Sequence, residues 1–214
     1  MTRETTVLLT GFEPFGGDAV NPSGDAVRRV AASWTGPERL VTAILPVTFA
    51  GSATALDDLL AEHDPDVVVA TGLAGGRRAI GIERVAVNIA DARIPDNDGE
   101  QPIDEPSAPG EDAAAFASLP VKAIARAVSA TGIPCEVSLS AGTFVCNHVF
   151  FHAAVWGARR GRRAGFVHVP WATGQAPGGE FELPVEDIAL AMEIAVRTAV
   201  DVVEDPALVG GAIH

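Results

Sequence analysis

The chain has 214 residues, 48% of them apolar and 20% charged, with a formal net charge of −13. That apolar share can bury a core and excludes global disorder, while so acidic a surface repels phosphate backbones and excludes a nucleic-acid binder. No apolar run reaches the length that crosses a bilayer as a helix, so no membrane partner is expected.

The opening Met1-Thr2-Arg3-Glu4-Thr5-Thr6 has no signal-peptide core, which predicts an intracellular, cytoplasmic chain. Val7-Leu8-Leu9-Thr10 is a continuous apolar run closed by Gly11, the pattern of a strand buried in a parallel sheet. Turn chemistry follows at Gly16-Gly17 and Asn21-Pro22-Ser23-Gly24. A helix is expected after Pro22, with Ala26, Val27, Val30, Ala31 and Trp34 on one face. Leu40 to Leu45 reads as a second strand, and Ala53, Leu56, Leu60 and His63 form a second helical stripe. Asp66 to Gly72 is another buried strand. Gly81 to Ala90 alternates in part, as a half-exposed strand does. Residues 91–112 are acidic and rich in Pro and Gly, a loop long enough to be functional. Helix resumes near Val121, and a strand follows at Glu136 to Leu139. The next helix begins close to Cys146 and ends at Arg159, Arg160, Arg162 and Arg163, where cations suit the negative end of the dipole. Ala164 to Val169 is a further buried strand. The last helix, after Pro184, places Val185, Ile188, Met192, Ala195 and Ala199 on one face.

Strands alternating with helices, with no internal repeat and no linker, predict one domain over residues 1–214. Its fold class is α/β, a single α/β/α sandwich with a mostly parallel central sheet. Ligands bind such sheets at the carboxyl ends of the strands, so the residues after Thr10, Thr71, Leu139 and Val169 are expected near one another.

The two cysteines, Cys135 and Cys146, are expected to be free in a reducing compartment. Cys146 follows a strand and a glycine-containing turn and opens an apolar helix. Unpaired N–H groups there stabilise a thiolate and can hold an oxyanion. The same residue also reads as a small buried hydrophobe. A thiolate needs a base. His63 lies at a polar helix end and His214 at the terminus. His148 and His152 have the spacing of a zinc-binding helix, but Val149 stands where the metalloprotease glutamate belongs and no third ligand is evident, so no metal is expected. His168, near the carboxyl end of a buried strand, fits either a catalytic or a structural histidine. Many acids could orient it. Glu83, soon after the turn Gly72-Leu73-Ala74-Gly75-Gly76, is one, and it reads equally as a surface partner of Arg84.

Five segments in order resemble pyroglutamyl peptidase I, the pyrrolidone-carboxylate peptidase family. They are Thr10-Gly11-Phe12-Glu13-Pro14-Phe15-Gly16-Gly17 with Asn21-Pro22, Glu83-Arg84-Val85-Ala86-Val87-Asn88, Ala92-Arg93-Ile94-Pro95-Asp96-Asn97, Ala141-Gly142-Thr143-Phe144-Val145-Cys146-Asn147-His148 and Gly165-Phe166-Val167-His168-Val169-Pro170. The resemblance runs from about residue 5 to residue 172 and is looser in the helical tail. It implies that Cys146 is the nucleophile, His168 the general base and acid, and Glu83 the orienting carboxylate. It implies an oxyanion site from Arg93 and the Cys146 N–H, and a ring pocket of Phe12, Phe15, Ile94, Phe144 and Val145 with Asn21 nearby. Arg93 lies among Asp91, Asp96 and Asp98 and reads equally as an ion-pair partner of one of them. The resemblance further implies a cytosolic homo-oligomer, often a tetramer, that needs no metal or other cofactor. Leu73, beside the ring pocket, stands where the family carries Gln, and Trp171 to Gly179 departs from its usual continuation.

Pyroglutamate is a flat, neutral lactam without a free α-amine, so its pocket needs apolar walls and a few polar backbone groups. The expected reaction is hydrolysis of the amide after an N-terminal pyroglutamyl residue through a thioester. The alternatives are a non-catalytic binder of pyroglutamyl peptides, which Leu73 keeps open, and a different cysteine hydrolase of small amides.

Overall fold

The apolar runs become the strands of a central sheet, and the stripes between them become its covering helices. In the computed structural model, residues 4–209 are described; Met1, Thr2, Arg3 and His214 of the segments discussed above lie outside them. The order is β1 (Thr6–Phe12), α1 (Pro22–Ser33), β2 (Arg39–Leu45), α2 (Phe49–His63), β3 (Val67–Leu73), β4 (Ile80–Glu83), β5 (Val85–Val87), β6 (Ala114–Phe116), α3 (Val121–Ser129), β7 (Cys135–Ser138), α4 (Val145–Arg160), β8 (Arg163–Val169), β9 (Trp171–Ala172), β10 (Glu182–Leu183) and α5 (Val185–Asp201). Six strands form the main sheet in the order β2-β1-β3-β8-β4-β7. Neighbours from β2 to β8 are parallel. β4 is antiparallel to β8 and parallel to β7, so this pair runs against the other four strands.

Side chains alternate across the sheet. Val7, Leu9, Val67, Val69, Val167 and Val169 pack beneath α1, α3 and α5 through Val27, Val30, Ile124, Val128, Ile188 and Met192. Leu8, Phe12, Val68, Ala70 and Phe166 pack beneath α2 and α4 through Leu56, Leu60, Val149, Phe150 and Phe151. The result is three layers, as the alternation of elements predicts.

Local chemistry sets the helix ends. The Asn21 carboxamide accepts from Ser23 N at 3.1 Å to cap α1, with Pro22 at its first position. Thr48 caps α2 by accepting from Gly51 N. α4 stops at Gly161, whose φ of 62° lets the chain turn left-handed, and its last turn carries Arg159 and Arg160.

Two expectations need correction. The half-exposed strand over Gly81 to Ala90 is instead two short strands. β4 is buried throughout, and β5 leaves the main sheet to pair with β6. Too short to alternate visibly, β4 gives no period to read. The strand-end argument reaches the right place after Leu139 for the wrong reason. β7 runs against β8, so its carboxyl end points the other way, and Leu139 is 54% exposed, yet Ser140 just after it is drawn to the Glu83–His168 pair through its carbonyl's hydrogen bond from Arg77.

Candidate active site

α4 starts after Phe144, which caps it with no side-chain hydrogen bond, so its first N–H groups have no side-chain acceptor. Cys146 occupies the second helical position, and Gly142, with φ 76°, turns the chain into it. The sulfur rests on β3. A Cβ added at Gly72 would lie 2.7 Å from the Cys146 Sγ, 2.9 Å from Phe166 Cζ and 3.3 Å from Phe12 Cε2. Any side chain at 72 would therefore expel the sulfur. Gly72 is in turn the register partner of His168 on β8. Sulfur and imidazole-bearing strand meet at this one glycine.

His168 is 3% exposed, and its Nδ1 lies 2.7 Å from Glu83 Oε1. A carboxylate only accepts, so Nδ1 carries the proton and Nε2 is left as the basic nitrogen. The pairing follows from register: Glu83 stands opposite Phe166 across the antiparallel β4–β8 pair, so His168, two residues on, shares its face. Glu83 is fully buried. Its cation is Arg77, at 2.9 Å from Oε1, rather than the neighbouring Arg84. Glu83 Oε2 has no partner among the described residues.

Burial sets the resting protonation. It is the largest influence on the Cys146 thiol and pushes it up to about 12, with the Glu83 carboxylate adding to it; Arg77 and the Cys146 N–H pull the other way. The helix N-terminus alone does not produce the thiolate anticipated from sequence, so the thiol needs a base. Burial likewise lowers the His168 imidazole, against its hydrogen bond and attraction to Glu83, with Arg77 lowering it further. Cys135, on the edge strand β7, is also raised to about 12 by burial. Surroundings, not basicity, distinguish the two thiols.

Cys146 opens onto a cavity of about 490 Å³ lined by Phe12, Phe15, Asn21, Leu73, Arg93, Ile94 and Phe144 of the sequence-predicted set. Phe144 packs against Phe15 with centroids 5.3 Å apart and against Phe49 at 5.4 Å, which gives the cavity an aromatic wall. Asn21 lines it while its carboxamide serves the α1 cap and donates to the Glu13 carbonyl at 2.9 Å. Val145 departs from expectation: its side chain is fully buried in the α2/α4 core and does not line the cavity, because its place on α4 points it inward. Arg93 is exposed and makes no ion pair among the described residues. Its neighbour Asp96 is occupied by the backbone N–H groups of Phe49, Asp98 and Glu100, each at 2.9 Å.

Sequence reasoning missed Arg77 and Glu180. Trp171, which opens the segment whose departure from the family pattern pointed to the rim of the site, lines the cavity with Glu180, its Nε1 donating to Glu180 Oε2 at 2.8 Å. Nothing in the pattern separates Arg77 from Arg78; only the fold does. The His148 and His152 rings lie 4.6 Å apart on α4. Among the described residues, no three metal-ligating side chains converge.

The family described as pyroglutamyl peptidase matches residues 5–202. A pyrrolidone-carboxylate peptidase of Clavibacter michiganensis is 50% identical over 196 residues, covering 90% of this chain and 91% of the relative. One from Erwinia tasmaniensis is 46% identical over 211 residues, covering 97% and 99%. The crystal structure of pyroglutamyl peptidase I from Bacillus amyloliquefaciens superposes with a TM-score of 0.92 at 41% identity, covering 96% of this chain and 100% of that one. A cysteine at a helix start, a buried histidine paired to a carboxylate and an aromatic cavity thus agree with what the whole sequence says: the chain belongs to the pyroglutamyl peptidase family.

Proposed function

We propose that this chain hydrolyses the amide bond after an N-terminal pyroglutamyl residue, with Cys146, His168 and Glu83 as its catalytic residues and residues 1–214 acting as one domain. His168 Nε2 takes the proton from the Cys146 thiol, which burial keeps protonated at rest. The sulfur attacks the exocyclic carbonyl of the pyroglutamyl ring. The oxyanion so formed is met by the Cys146 N–H at the α4 N-terminus and by Arg93, which has no other anion to serve among the described residues. Imidazolium then protonates the departing amine, the C–N bond breaks and a thioester remains. Water, deprotonated by His168, attacks the thioester, releasing pyroglutamate and restoring the thiol. Glu83 holds Nδ1–H throughout and balances the transient imidazolium charge.

The lactam ring sits among Phe12, Phe15, Ile94 and Phe144, walls that suit a neutral flat group and offer nothing to an α-ammonium. Leu73 keeps an apolar contact there.

The observation that carries this reading is the meeting at Gly72, with the Cys146 sulfur against it and His168 beside it in register. The test is release of a fluorescent amine from a pyroglutamyl amide. Turnover blocked by iodoacetamide, and lost by orders of magnitude in a folded Cys146→Ala variant, is expected. Full turnover in Cys146→Ala would end the proposal. Saturable binding without product would favour a binder instead, and equal rates on pyroglutamyl, prolyl and alanyl amides a less selective hydrolase.

A homo-oligomer, a tetramer by family resemblance, is part of the same proposal. Exposed Ile103 (71%), Phe116 (69%) and Leu139 (54%) supply apolar surface for it, and light scattering tests it. No helix among the described residues is long and apolar enough to cross a membrane. A cytoplasmic location suits two unbridged cysteines, one of which must stay reduced to react.

A further inference from the structure

Arg77 lies in the turn between β3 and β4, outside every segment singled out above. Its guanidinium reaches two oxygens at once: Nη2 forms an ion pair with Glu83 Oε1 at 2.9 Å and donates to the Ser140 carbonyl at 2.8 Å. The first oxygen belongs to the carboxylate that orients His168. The second belongs to the loop between β7 and α4, which delivers Cys146. The path of the side chain is specific. A Cβ at Gly81 would lie 2.5 Å from Arg77 Nη1, so Gly81 leaves the space the guanidinium fills. Gly81 is the antiparallel register partner of His168, which puts the guanidinium on the face shared by His168 and Glu83.

A fully buried carboxylate with a single neutral donor is a poor anion. Glu83 Oε2 has no hydrogen-bond partner among the described residues, so the carboxylate depends on Oε1, where the His168 hydrogen bond and the Arg77 ion pair meet. We propose that Arg77 is a positioning residue of the reaction: it holds the Glu83 carboxylate against His168 and ties that pair to the loop that presents Cys146. This inference rests on the peptidase reading of the site.

Three charged or titratable groups face His168: Glu83 from β4, Arg77 from the turn before it and Cys146 from α4. Arg77 lowers both the imidazole and the thiol. Without its charge both rise, so the acid limb of kcat/KM moves to higher pH whichever group it reports.

The test measures pyroglutamyl-amide hydrolysis against pH in wild type, Arg77→Met and Arg77→Lys. Arg77→Met is expected to lose roughly 10- to 100-fold in kcat with KM within about threefold, and to shift the acid limb upward. Inactivation by iodoacetamide shifts the same way. Arg77→Lys restores the position of the limb, but it has no second nitrogen to fill the space that Nη1 takes over Gly81, so its ammonium is less firmly held and kcat stays depressed. Wild-type kcat and an unmoved limb in Arg77→Met overturn the proposal, as does a loss confined to KM. If circular dichroism shows Arg77→Met unfolded, the lysine variant decides: a depressed kcat at unchanged KM supports the role and a wild-type kcat removes it. A wild-type chain with no turnover would defeat the peptidase reading itself, a result separate from any of these.

Discussion

Beneath α1, α3 and α5 the central strands present Val7, Leu9, Val67, Val69, Val167 and Val169, a surface β-branched at every position but Leu9 that meets only apolar partners in its core cluster. Beneath α2 and α4 the same strands present Phe12, Gly72 and His168, and β4 adds Glu83. The first face gains about 1.5–3 kcal/mol for each large apolar side chain it buries. The second gives up a side chain at Gly72 and takes in a carboxylate whose desolvation costs several kcal/mol before Arg77 and His168 offset it. Chemistry is confined to the face where close packing is interrupted, and the other face is free to supply stability.

Substitutions on the two faces should separate cleanly. Glu83→Gln leaves His168 without its anion and disturbs its tautomer, so kcat should fall roughly 10³- to 10⁴-fold while thermal unfolding moves little; a kcat within tenfold of wild type would show that the carboxylate does not act through the imidazole. Gly72→Ala should lose about 100-fold in kcat, because its Cβ must move the sulfur. A crystal structure of that variant with Cys146 undisplaced would break the account of the seat.

On the apolar face, Ile188→Ala should cost about 2–5 kcal/mol in urea unfolding and leave kcat/KM at 25 °C near wild type. A loss of activity in folded protein would mean that the faces are coupled. His148, buried on α4, is lowered to about 4, chiefly by burial and next by His152. The unfolded chain therefore binds a proton that the folded chain refuses. Stability is unaffected above the unfolded value near 6.5, falls as pH drops from there, and levels off below about 4, by a few kcal/mol in all. His168, lowered in the same direction, adds to this. Urea midpoints from pH 7 to pH 4 should show the decline, and His148→Gln should reduce it to the part that His168 contributes. The smallest effect is expected at the rim, where Leu73→Gln should change KM by about two- to fivefold and leave kcat alone.

How far the sequence disclosed these faces depends on the signal each leaves. Continuous apolar runs disclosed β1, β3 and β8, and helical stripes disclosed α1, α2 and α5 to within a few residues. The motif around Cys146 and the run ending at His168 pointed to sulfur and imidazole. Glu83 was legible only through family resemblance, since a glutamate after a glycine-rich turn reads as surface. Its burial depends on a four-residue strand reversed against β8, and strand direction leaves no local trace. Arg77 was hidden for the same reason: its acceptors come from β4 and from the loop after β7, which only the folded sheet brings together. Val145 was misassigned because adjacency to Cys146 along the chain does not fix where a helical side chain points.

The three amide donors that converge on Asp96 have a kinetic consequence. The Phe49 donor fastens the segment carrying Arg93 and Ile94 to the start of α2, and those of Asp98 and Glu100 close the turn that follows, so that wall of the cavity already stands before any ligand arrives. A wall already in place asks no loop to fold around the guest, and the entropy of ordering is not charged against affinity. Capture of a pyroglutamyl amide should then register in stopped flow as a single exponential whose rate rises linearly with ligand, with no slower closing phase behind it.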